Sequence, residues 1–501
     1  IGDRGGGAFF PTFSLRSLKV PREVLSIGMD TRTIADFTTR VWSDSITPAL
    51  SDYIAIPAKS PMFDADWAAN GHMEAAMQLI VDWCKAREIA GLSVEVVRLE
   101  GRTPLIFMEV PAFGCEPDGD DTVLMYGHYD KQPEMEGWSE KSGPWEPRIE
   151  EGRLYGRGGA DDGYAAFGSL CALEATQKCG GQHGRIAIVI EGCEESGSPD
   201  LPFYLEHLGE RLGDVSLVIC LDSGAGDYER LWSTTSLRGM AAGDLRIDIL
   251  TEGIHSGDGS GIVPSSFRIL RQLLTRIEDE ETGRVLVPEC GDEIPADREA
   301  QAKVVGEILG DDVFECYPFL DGAKAMSSDR TELVLNRTWR PTVSVTGVDG
   351  IPNVAHAGNV LRPYTTVKLS VRLAPTVDGK TATAALKETL EANPPYGSRV
   401  SFNPEKSATG WNAPTLAAWL ENALGHSCQN HFGNVPGYMG EGGSIPLMGM
   451  LSAMFPKAQF LITGVLGPGS NAHGPNEFID LAMAQKLTAC VADVLDAHAR
   501  R

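Results

Sequence analysis

The sequence has little positive charge: its 501 residues carry 43 Lys and Arg against 69 Asp and Glu, a formal net charge of −26. A negative surface repels phosphate backbones and anionic lipid, so we expect neither nucleic acid nor a membrane as a partner. No apolar run approaches the length of a transmembrane helix. The first residues, beginning Ile1-Gly-Asp-Arg, lack the apolar segment of a secretory signal. We therefore set residues 1–30 apart as an N-terminal extension of uncertain role.

Cysteine pairing motifs are also missing. The ten cysteines are scattered without a C-x-x-C pair, and several lie in apolar runs such as Val218-Ile-Cys-Leu. This distribution is typical of buried free thiols in a reducing compartment and not of a disulfide framework. We therefore expect a cytoplasmic protein.

Two common kinds of active site are absent as well. There is no G-x-S-x-G, and Cys193 has no visible base near it in the sequence, so a nucleophilic side chain is not favoured as the catalyst. The turn Gly156-Arg-Gly-Gly-Ala-Asp-Asp-Gly lacks the Lys-Ser/Thr of a P-loop, and its two carboxylates would repel phosphate. This turn therefore needs an explanation other than phosphate binding.

The pattern of apolar residues predicts an α/β protein with a mostly parallel sheet. Residues from about Thr31 to Ile89 have helical periodicity. Four short apolar runs follow, and the stretches around them include helical patterns. Continuous apolar strands of this kind are typical of a sheet covered on both faces. The four runs begin at Thr122, Ile186, Val215 and Gln459.

The middle of the chain has a different pattern. Ala242-Gly-Asp-Leu-Arg-Ile-Asp-Ile-Leu and Thr366-Val-Lys-Leu-Ser-Val-Arg-Leu alternate apolar and polar residues. Alternation is typical of antiparallel strands with one face in water. We therefore predict an α+β domain at 238–375, inserted between two parts of the α/β domain at 31–237 and 376–501.

Side chains that could bind metal follow the apolar runs. The carboxyl ends of strands in an open α/β sheet gather at one edge, so residues that follow separate strands meet there. Each short motif is weak evidence alone, and their coincidence at strand ends is what carries weight. The residues concerned are His128, Asp130, Glu194, Glu195, Asp222 and His473, together with Asp161 and Asp162 from the Gly-rich turn.

The residue types fit two metal ions. Zinc accepts imidazole nitrogen and carboxylate oxygen, and a pair of ions needs one shared carboxylate and a shared water. Mixed nitrogen and oxygen ligands would also accept manganese or cobalt. Asp130 is placed to accept the second N–H of the His128 ring, and Glu194 to take a proton from the shared water.

These motifs resemble the dinuclear zinc peptidase family of carnosinases, Cys-Gly dipeptidases, carboxypeptidase G, aminoacylase-1 and succinyl-diaminopimelate desuccinylase, and the dipeptidases most of all. The resemblance covers nearly the whole chain from about residue 30. It is carried by Gly127-His-Tyr-Asp-Lys-Gln-Pro, Gly137-Trp, Leu154-Tyr-Gly-Arg-Gly-Gly-Ala-Asp-Asp, Glu194-Glu-Ser-Gly-Ser, Glu441-Gly-Gly-Ser-Ile-Pro and Asn471-Ala-His-Gly-Pro-Asn-Glu.

The resemblance implies a role for each residue. His128 and Asp222 would bind one zinc, Glu195 and His473 the other, and Asp161 both, with a cis peptide between Asp161 and Asp162. Asp130 would orient His128, and Glu194 would be the general base. Residues 238–375 would be the lid and dimerisation domain, so a homodimer is expected. Three further residues would bind the carboxylate of a small peptide substrate, and His255 would polarise the scissile carbonyl, often in the neighbouring subunit's site. The three are Arg372, Ser444 and Glu441.

The predicted activity is hydrolysis of dipeptides or short peptides. Two positions depart from the dipeptidase pattern: Gly163-Tyr164 follows Asp162 where Lys-Gly is common, and Gly440 precedes Glu441 where Arg is common. Both bear on the substrate pocket. The alternatives are an amidase, deacylase or carboxypeptidase acting on N-acyl amino acids with the same metals, and a scaffold that binds none.

Overall fold

A computed structural model describes residues 29–116, 121–291, 293–443 and 446–501. Asp30 caps the first helix by accepting the Thr33 N–H, and Asp480 caps the last by accepting that of Met483. The helices are α1 Thr31–Val41, α2 Thr47–Ile54, α3 Trp67–Asn70, α4 His72–Lys85, α5 Tyr164–Lys178, α6 Leu201–Leu208, α7 Ser256–Gly259, α8 Ser266–Leu274, α9 Ala296–Leu309, α10 Asp312–Glu315, α11 Arg330–Thr338, α12 Gly379–Glu391, α13 Ala418–Phe432, α14 Pro446–Met454 and α15 Leu481–Ala499.

The strands include all four of the predicted apolar runs. The strands are β1 Ser93–Val97, β2 Leu105–Val110, β3 Asp121–His128, β4 Arg148–Glu150, β5 Arg153–Tyr155, β6 Arg185–Glu191, β7 Asp214–Cys220, β8 Trp232–Leu237, β9 Gly239–Asp248, β10 Ile254–His255, β11 Thr342–Asp349, β12 Val360–Leu361, β13 Tyr364–Leu373, β14 Arg399–Ala408, β15 Trp411–Asn412, β16 Gly437–Glu441, β17 Gln459–Ile462 and β18 Phe478–Asp480.

The largest sheet has the order β1-β2-β6-β3-β7-β17. Strands β6, β3, β7 and β17 are parallel, while β2 is antiparallel to both of its neighbours. Alternate side chains of β3 enter different cores: Val123 and Met125 join one, Leu124 and Tyr126 the other. Both faces are thus covered, which confirms the predicted α/β class and explains why these strands are apolar throughout.

A second, antiparallel sheet has the order β11-β13-β9-β14. Along β9 and β13, buried and half-buried residues alternate, as the sequence pattern predicted. Helices α8 and α12 contribute to the core beneath this sheet, with residues such as Leu273 and Leu386. This unit is the lid-type domain of the predicted fold.

The second sheet continues past residue 375, where we set the end of the inserted domain. Strand β14, at Arg399–Ala408, pairs with β9, and α12 packs on the same core. Residues of α9 and α11 within 238–375 belong instead to a core of the large sheet, among them Val305 and Leu335. The domain bounds remain a prediction, and these contacts indicate where they would be redrawn.

Two three-stranded sheets have the orders β15-β8-β16 and β18-β5-β4. In the second of these, β18 pairs with β5, so Phe478 lies opposite Tyr155. This pairing brings the chain after His473 beside the Gly-rich turn. Among the helices that the structure describes, none is long and apolar enough to cross a membrane.

Candidate metal centre

The ends of parallel strands deliver the predicted ligands to one edge of the large sheet. His128 is the last residue of β3, Glu195 lies four residues beyond β6, and Asp222 lies two residues beyond β7. Gly127 leaves room for this convergence, because a Cβ there would collide with Ala165 and come within 2.8 Å of an Asp162 oxygen. The convergence follows because parallel strands end at the same edge of the sheet, as the sequence pattern predicted.

Asp161 lies between two sets of potential ligands. Its Oδ1 is 3.3 Å from Nε2 of His128, and its Oδ2 is 3.0 Å from Nε2 of His473. Asp222 Oδ2 lies 3.8 Å from His128 Nε2, and Glu195 Oε2 lies 3.3 Å from His473 Nε2. The two oxygens of the Asp161 carboxylate thus face two different His–carboxylate pairs. The peptide between Asp161 and Asp162 is cis, as the resemblance implied.

The electrostatics of the cluster fit bound cations. Burial raises the pKa of Asp222 to about 7, with Asp161 adding to the rise and His128 opposing it. Burial also raises the pKa values of Glu194 and Glu195 well above their usual range. Oε1 of Glu195 is buried without a hydrogen-bond partner. Carboxylates gathered away from water need positive charge to stay ionised, and two divalent cations would supply it to this donor set.

Asp130 holds two ligand-bearing segments together. The Nδ1 of His128 lies 3.1 Å from the Asp130 carbonyl oxygen and 3.4 Å from its carboxylate. The same carboxylate accepts the backbone N–H groups of Glu194 and Glu195, at 3.1 and 3.0 Å. Asp130 therefore contacts the ring that it was predicted to orient, and it also fixes the turn after β6.

Glu194 lies at the edge of the ligand set. Its Oε2 is 4.0 Å from Nε2 of His128, and its side chain is 17% exposed. The Asp130 contact to its backbone N–H directs this turn toward the metal centre. The side chain thus lies near the ligands with access to solvent, a position that suits exchange of a proton with a bound water.

Two of the residues predicted to act on the substrate lie in strands outside the large sheet. Arg372 is in β13, opposite Met240 of β9 and Thr342 of β11, and burial lowers the pKa of its guanidinium. The side chain of His255, in β10, is 67% exposed. The His255 ring accepts the Gly257 N–H at 3.1 Å and lies 3.8 Å from a carboxylate oxygen of Asp258, and neither of these residues belongs to the ligand set.

The loop after β16 borders the metal centre. The Glu441 carboxylate accepts hydrogen bonds from the Ser223 hydroxyl at 2.8 Å and the Gly224 N–H at 2.5 Å, directly after Asp222. Glu441 thus contacts the segment that carries a ligand. Ser444 lies outside the described residues.

The departure at Gly163-Tyr164 lies in the core and not in an open pocket. Both residues are buried, and a side chain at Gly163 would collide with the ring of Tyr53. The Tyr164 hydroxyl donates to the carbonyl of Leu221, next to Asp222. We expected this departure to bear on the substrate pocket, and its neighbours instead give it a packing role.

Three contacts to the ligand segments were not predicted. Gln132 donates to Glu195 Oε2 at 2.5 Å, and the buried pair Arg157 and Glu477 contacts the Asp161 turn. All three residues are within or next to the quoted motifs. Sequence position alone did not show them to be partners, because Arg157 and Glu477 are 320 residues apart.

The model of Peptidase family M20/M25/M40 matches residues 124–497. Cysteinylglycine-S-conjugate dipeptidase of Corynebacterium striatum is 29% identical over 392 residues, 76% of this chain and 82% of that protein. Cys-Gly metallodipeptidase dug1 of Schizosaccharomyces pombe is 25% identical over 394 residues, 75% of this chain and 80% of that protein. The structure of the di-peptidase Dug1p from Saccharomyces cerevisiae has a TM-score of 0.72 at 22% identity, covering 95% of this chain and 99% of that one. The match extends over well beyond half of the chain and confirms the resemblance: this protein belongs to peptidase family M20/M25/M40 and is a metal-dependent peptidase.

Proposed function

We propose that this protein hydrolyses the peptide bond of dipeptides or short peptides that have a free C-terminal carboxylate. The main support for this proposal is the position of Asp161, whose two carboxylate oxygens lie 3.3 and 3.0 Å from the imidazoles of His128 and His473. Two of the similar proteins bear the names of dipeptidases that act on Cys-Gly or its conjugates. That chemistry and this ligand geometry agree.

We infer two divalent ions per chain, with zinc as the metal that best suits imidazole and carboxylate ligands. His128 and Asp222 would hold one, Glu195 and His473 the other, and Asp161 both. Manganese or cobalt would also suit these donors. When bound, the ions would polarise the scissile carbonyl and make a nearby water more acidic.

Glu194 is the proposed general base. It takes a proton from the attacking water and returns it to the leaving amine, which requires access to both positions. Its partial exposure and its distance of 4.0 Å from His128 Nε2 support this assignment. Asp130 acts through its contacts with His128 and with the turn that carries Glu194.

Substrate capture is assigned to the inserted domain and to the loop after β16. A guanidinium suits two-point recognition of a carboxylate, which supports Arg372 as the group that binds the substrate's C terminus. Ser444 would add a hydroxyl to the same carboxylate, and Glu441 supports that loop through Ser223 and Gly224. His255 would donate to the developing oxyanion.

We propose a homodimer formed through the inserted domain. Most of the large apolar side chains exposed in the described residues belong to 238–375, including Ile262, Leu320 and Val354 at 83, 84 and 93% exposure. Strand β11 is at the edge of its sheet and exposes Val345 and Val348. An apolar sheet edge is ready to pair with a second copy. Such a dimer would bring His255 of one copy to the site of the other.

A cytoplasmic location is proposed from the thiols. All ten cysteines are free in the structure, and seven of them are buried. A chain with this many unpaired cysteines suits a reducing compartment.

Hydrolysis rates over a matched panel test the function. The panel contains Cys-Gly, other dipeptides, the same dipeptides with amidated C termini, and N-acetyl amino acids, each with zinc or manganese added. We expect dipeptides with a free carboxylate to be cleaved fastest and metal chelation to stop turnover. Faster cleavage of N-acetyl amino acids would point to an amidase, and turnover that survives chelation would contradict the metal mechanism.

A further inference from the structure

A buried ion pair lies behind the metal centre. The Glu477 side chain is fully buried and that of Arg157 is 1% exposed, and Arg157 Nη1 lies 2.6 Å from Glu477 Oε2. Neither residue is among the candidate ligands. A buried ion pair is costly to desolvate, and further hydrogen bonds to the same side chains compensate for that cost. The other hydrogen bonds of Arg157 and Glu477 therefore show which segments the pair connects.

Glu477 binds the turn that carries Asp161. Its second oxygen, Oε1, accepts the backbone N–H groups of Gly158, Ala160 and Asp161 at 3.0, 3.3 and 3.3 Å. Its backbone carbonyl accepts the Gly156 N–H at 2.9 Å. One side chain thus fixes the backbone at the residue that faces both His128 and His473.

Arg157 binds the other two ligand segments. Its Nη2 donates to the carbonyl of Gly474 at 2.7 Å, directly after His473. Its Nε donates to the carbonyl of Pro133 at 3.2 Å, in the segment that follows His128. Together with Glu477, the guanidinium connects the three stretches of backbone that supply His128, Asp161 and His473.

The His473 loop needs such support. His473 has φ of +64°, and Asn471 and Asn476 have +55° and +60°. Side chains other than glycine seldom adopt the left-handed region, and they stay there only where the surroundings fix the backbone. The His473 side chain is 55% exposed, so packing around the ring is incomplete and backbone contacts such as that to Gly474 carry more of its positioning.

We propose that Arg157 and Glu477 are positioning residues that set the separation of Asp161 and His473 and so control the affinity of the metal ion held by Glu195 and His473. The proposal rests on the proposed two-metal function. Residues that hydrogen-bond to metal-binding segments fix the geometry of the ligands, and their mutation typically lowers metal affinity by roughly 10–100-fold. Glu477 accepts from backbone N–H groups on one side and from a guanidinium on the other, so an amide in its place would direct an NH2 group at one set of donors.

Cobalt titration of the metal-free full chain tests the proposal. The variants are Glu477→Gln and Arg157→Lys, and cobalt binding is followed by visible absorption and by competition with a chelator. We expect two cobalt ions on the wild type, and in both variants a weakening of the site that contains His473 by roughly 10–100-fold. The other site should weaken less, because its share in the change comes only through Asp161 and the segment after His128. A His473→Asn variant identifies which absorption band belongs to the weakened site.

Asp493→Asn is the matched control. Asp493 is a buried carboxylate that binds Ser427 and His431 between α13 and α15, away from the ligand segments. We expect both cobalt sites to stay at wild-type affinity in this variant. Steady-state rates add a second readout: excess metal should restore kcat in Glu477→Gln with KM unchanged, which a general loss of folding would not allow.

The outcomes separate the two proposals. Wild-type cobalt affinity at both sites in Glu477→Gln and Arg157→Lys would overturn the positioning role. Loss of folding of both variants in the metal-free state, measured by circular dichroism, would also overturn it, because the pair would then support the whole fold. Failure of the wild type to bind two cobalt ions would contradict the two-metal function itself.

Discussion

The carboxyl edge of the large sheet and the sheet of the inserted domain hold their functional side chains in opposite ways. At the first, Asp161 and His128 are buried and contact one another. At the second, the side chain of His255 is 67% exposed, and its ring contacts Gly257 and Asp258, which are its neighbours along the chain. The comparison indicates that one chain brings its predicted metal ligands together by itself, whereas substrate capture, on our proposal, depends on a second copy.

The largest expected effect is at the edge of the large sheet. Glu194→Gln keeps the size of the side chain and removes the base, so we expect kcat to fall by roughly 10²–10⁴-fold. Metal content should stay at the wild-type level, because Glu194 is not among the candidate ligands. Steady-state kinetics and elemental analysis measure both quantities. An active Glu194→Gln variant would end the assignment of the base.

The next effect tests whether the inserted domain completes the site. Removal of an oxyanion donor costs about 10²–10³-fold in kcat, so His255→Ala should fall in that range. When His255→Ala chains are mixed with as many Glu194→Gln chains, the mixture should regain about a quarter of wild-type activity. Half of the dimers would then contain one chain of each kind, and each such dimer would have one site with both Glu194 and His255 intact.

Two controls apply to this mixing experiment. Neither variant should gain activity when diluted with itself, and wild-type activity should not change on mixing with a metal-free inert protein. No recovery in the mixture would mean that His255 acts in its own chain, and the contrast between the two regions would be lost.

A charged side chain on the exposed edge of the second sheet should dissociate the proposed dimer. Its effect on the fold of each chain should be smaller. Val348→Asp puts a carboxylate on the exposed edge strand β11, where Val348 is 58% exposed, so we expect a shift from dimer to monomer. Ile149→Asp is the matched control, because Ile149 is 55% exposed and lies in β4, outside the inserted domain. Light scattering after size-exclusion chromatography measures the mass. Dimers in both variants would exclude this edge as the interface.

The smallest effect is expected at the opposite end of the large sheet, far from the ligands. Burial lowers the pKa of His498 to about 4, below its ordinary 6.5. The unfolded chain therefore binds a proton more readily, and stability should fall as pH drops from about 6.5 to about 4, by about 3 kcal/mol at most. His498→Gln should lose less stability over this range in urea unfolding. Identical pH dependence in both proteins would contradict the shift.

The sequence allowed the ligand edge to be predicted because the signal there is local. His128 and Asp222 follow apolar runs closely, so both could be placed at strand ends without any knowledge of which strands pair. The family motifs then supplied the roles. Sequence patterns detect residues that lie close together along the chain, and most of the predicted ligands lie close to the end of a strand.

Long-range pairing explains what could not be predicted. Strand β14 pairs with β9 about 160 residues earlier, so its place in the second sheet is not visible in local alternation, and β14 lies beyond the predicted boundary at 375. Val305 and Leu335 lie in α9 and α11 and join a core of the large sheet, although they lie within 238–375. The Arg157–Glu477 contact spans 320 residues and likewise follows only from the assembled fold.

We propose that Asp161 is shared by two metal ions in one site. Elemental analysis and cobalt titration of the wild type and Asp161→Asn test this sharing. We expect two ions per wild-type chain and a loss of affinity at both positions in the variant, because one carboxylate faces both His–carboxylate pairs. Two tightly bound ions in Asp161→Asn, or none in the wild type, would contradict it.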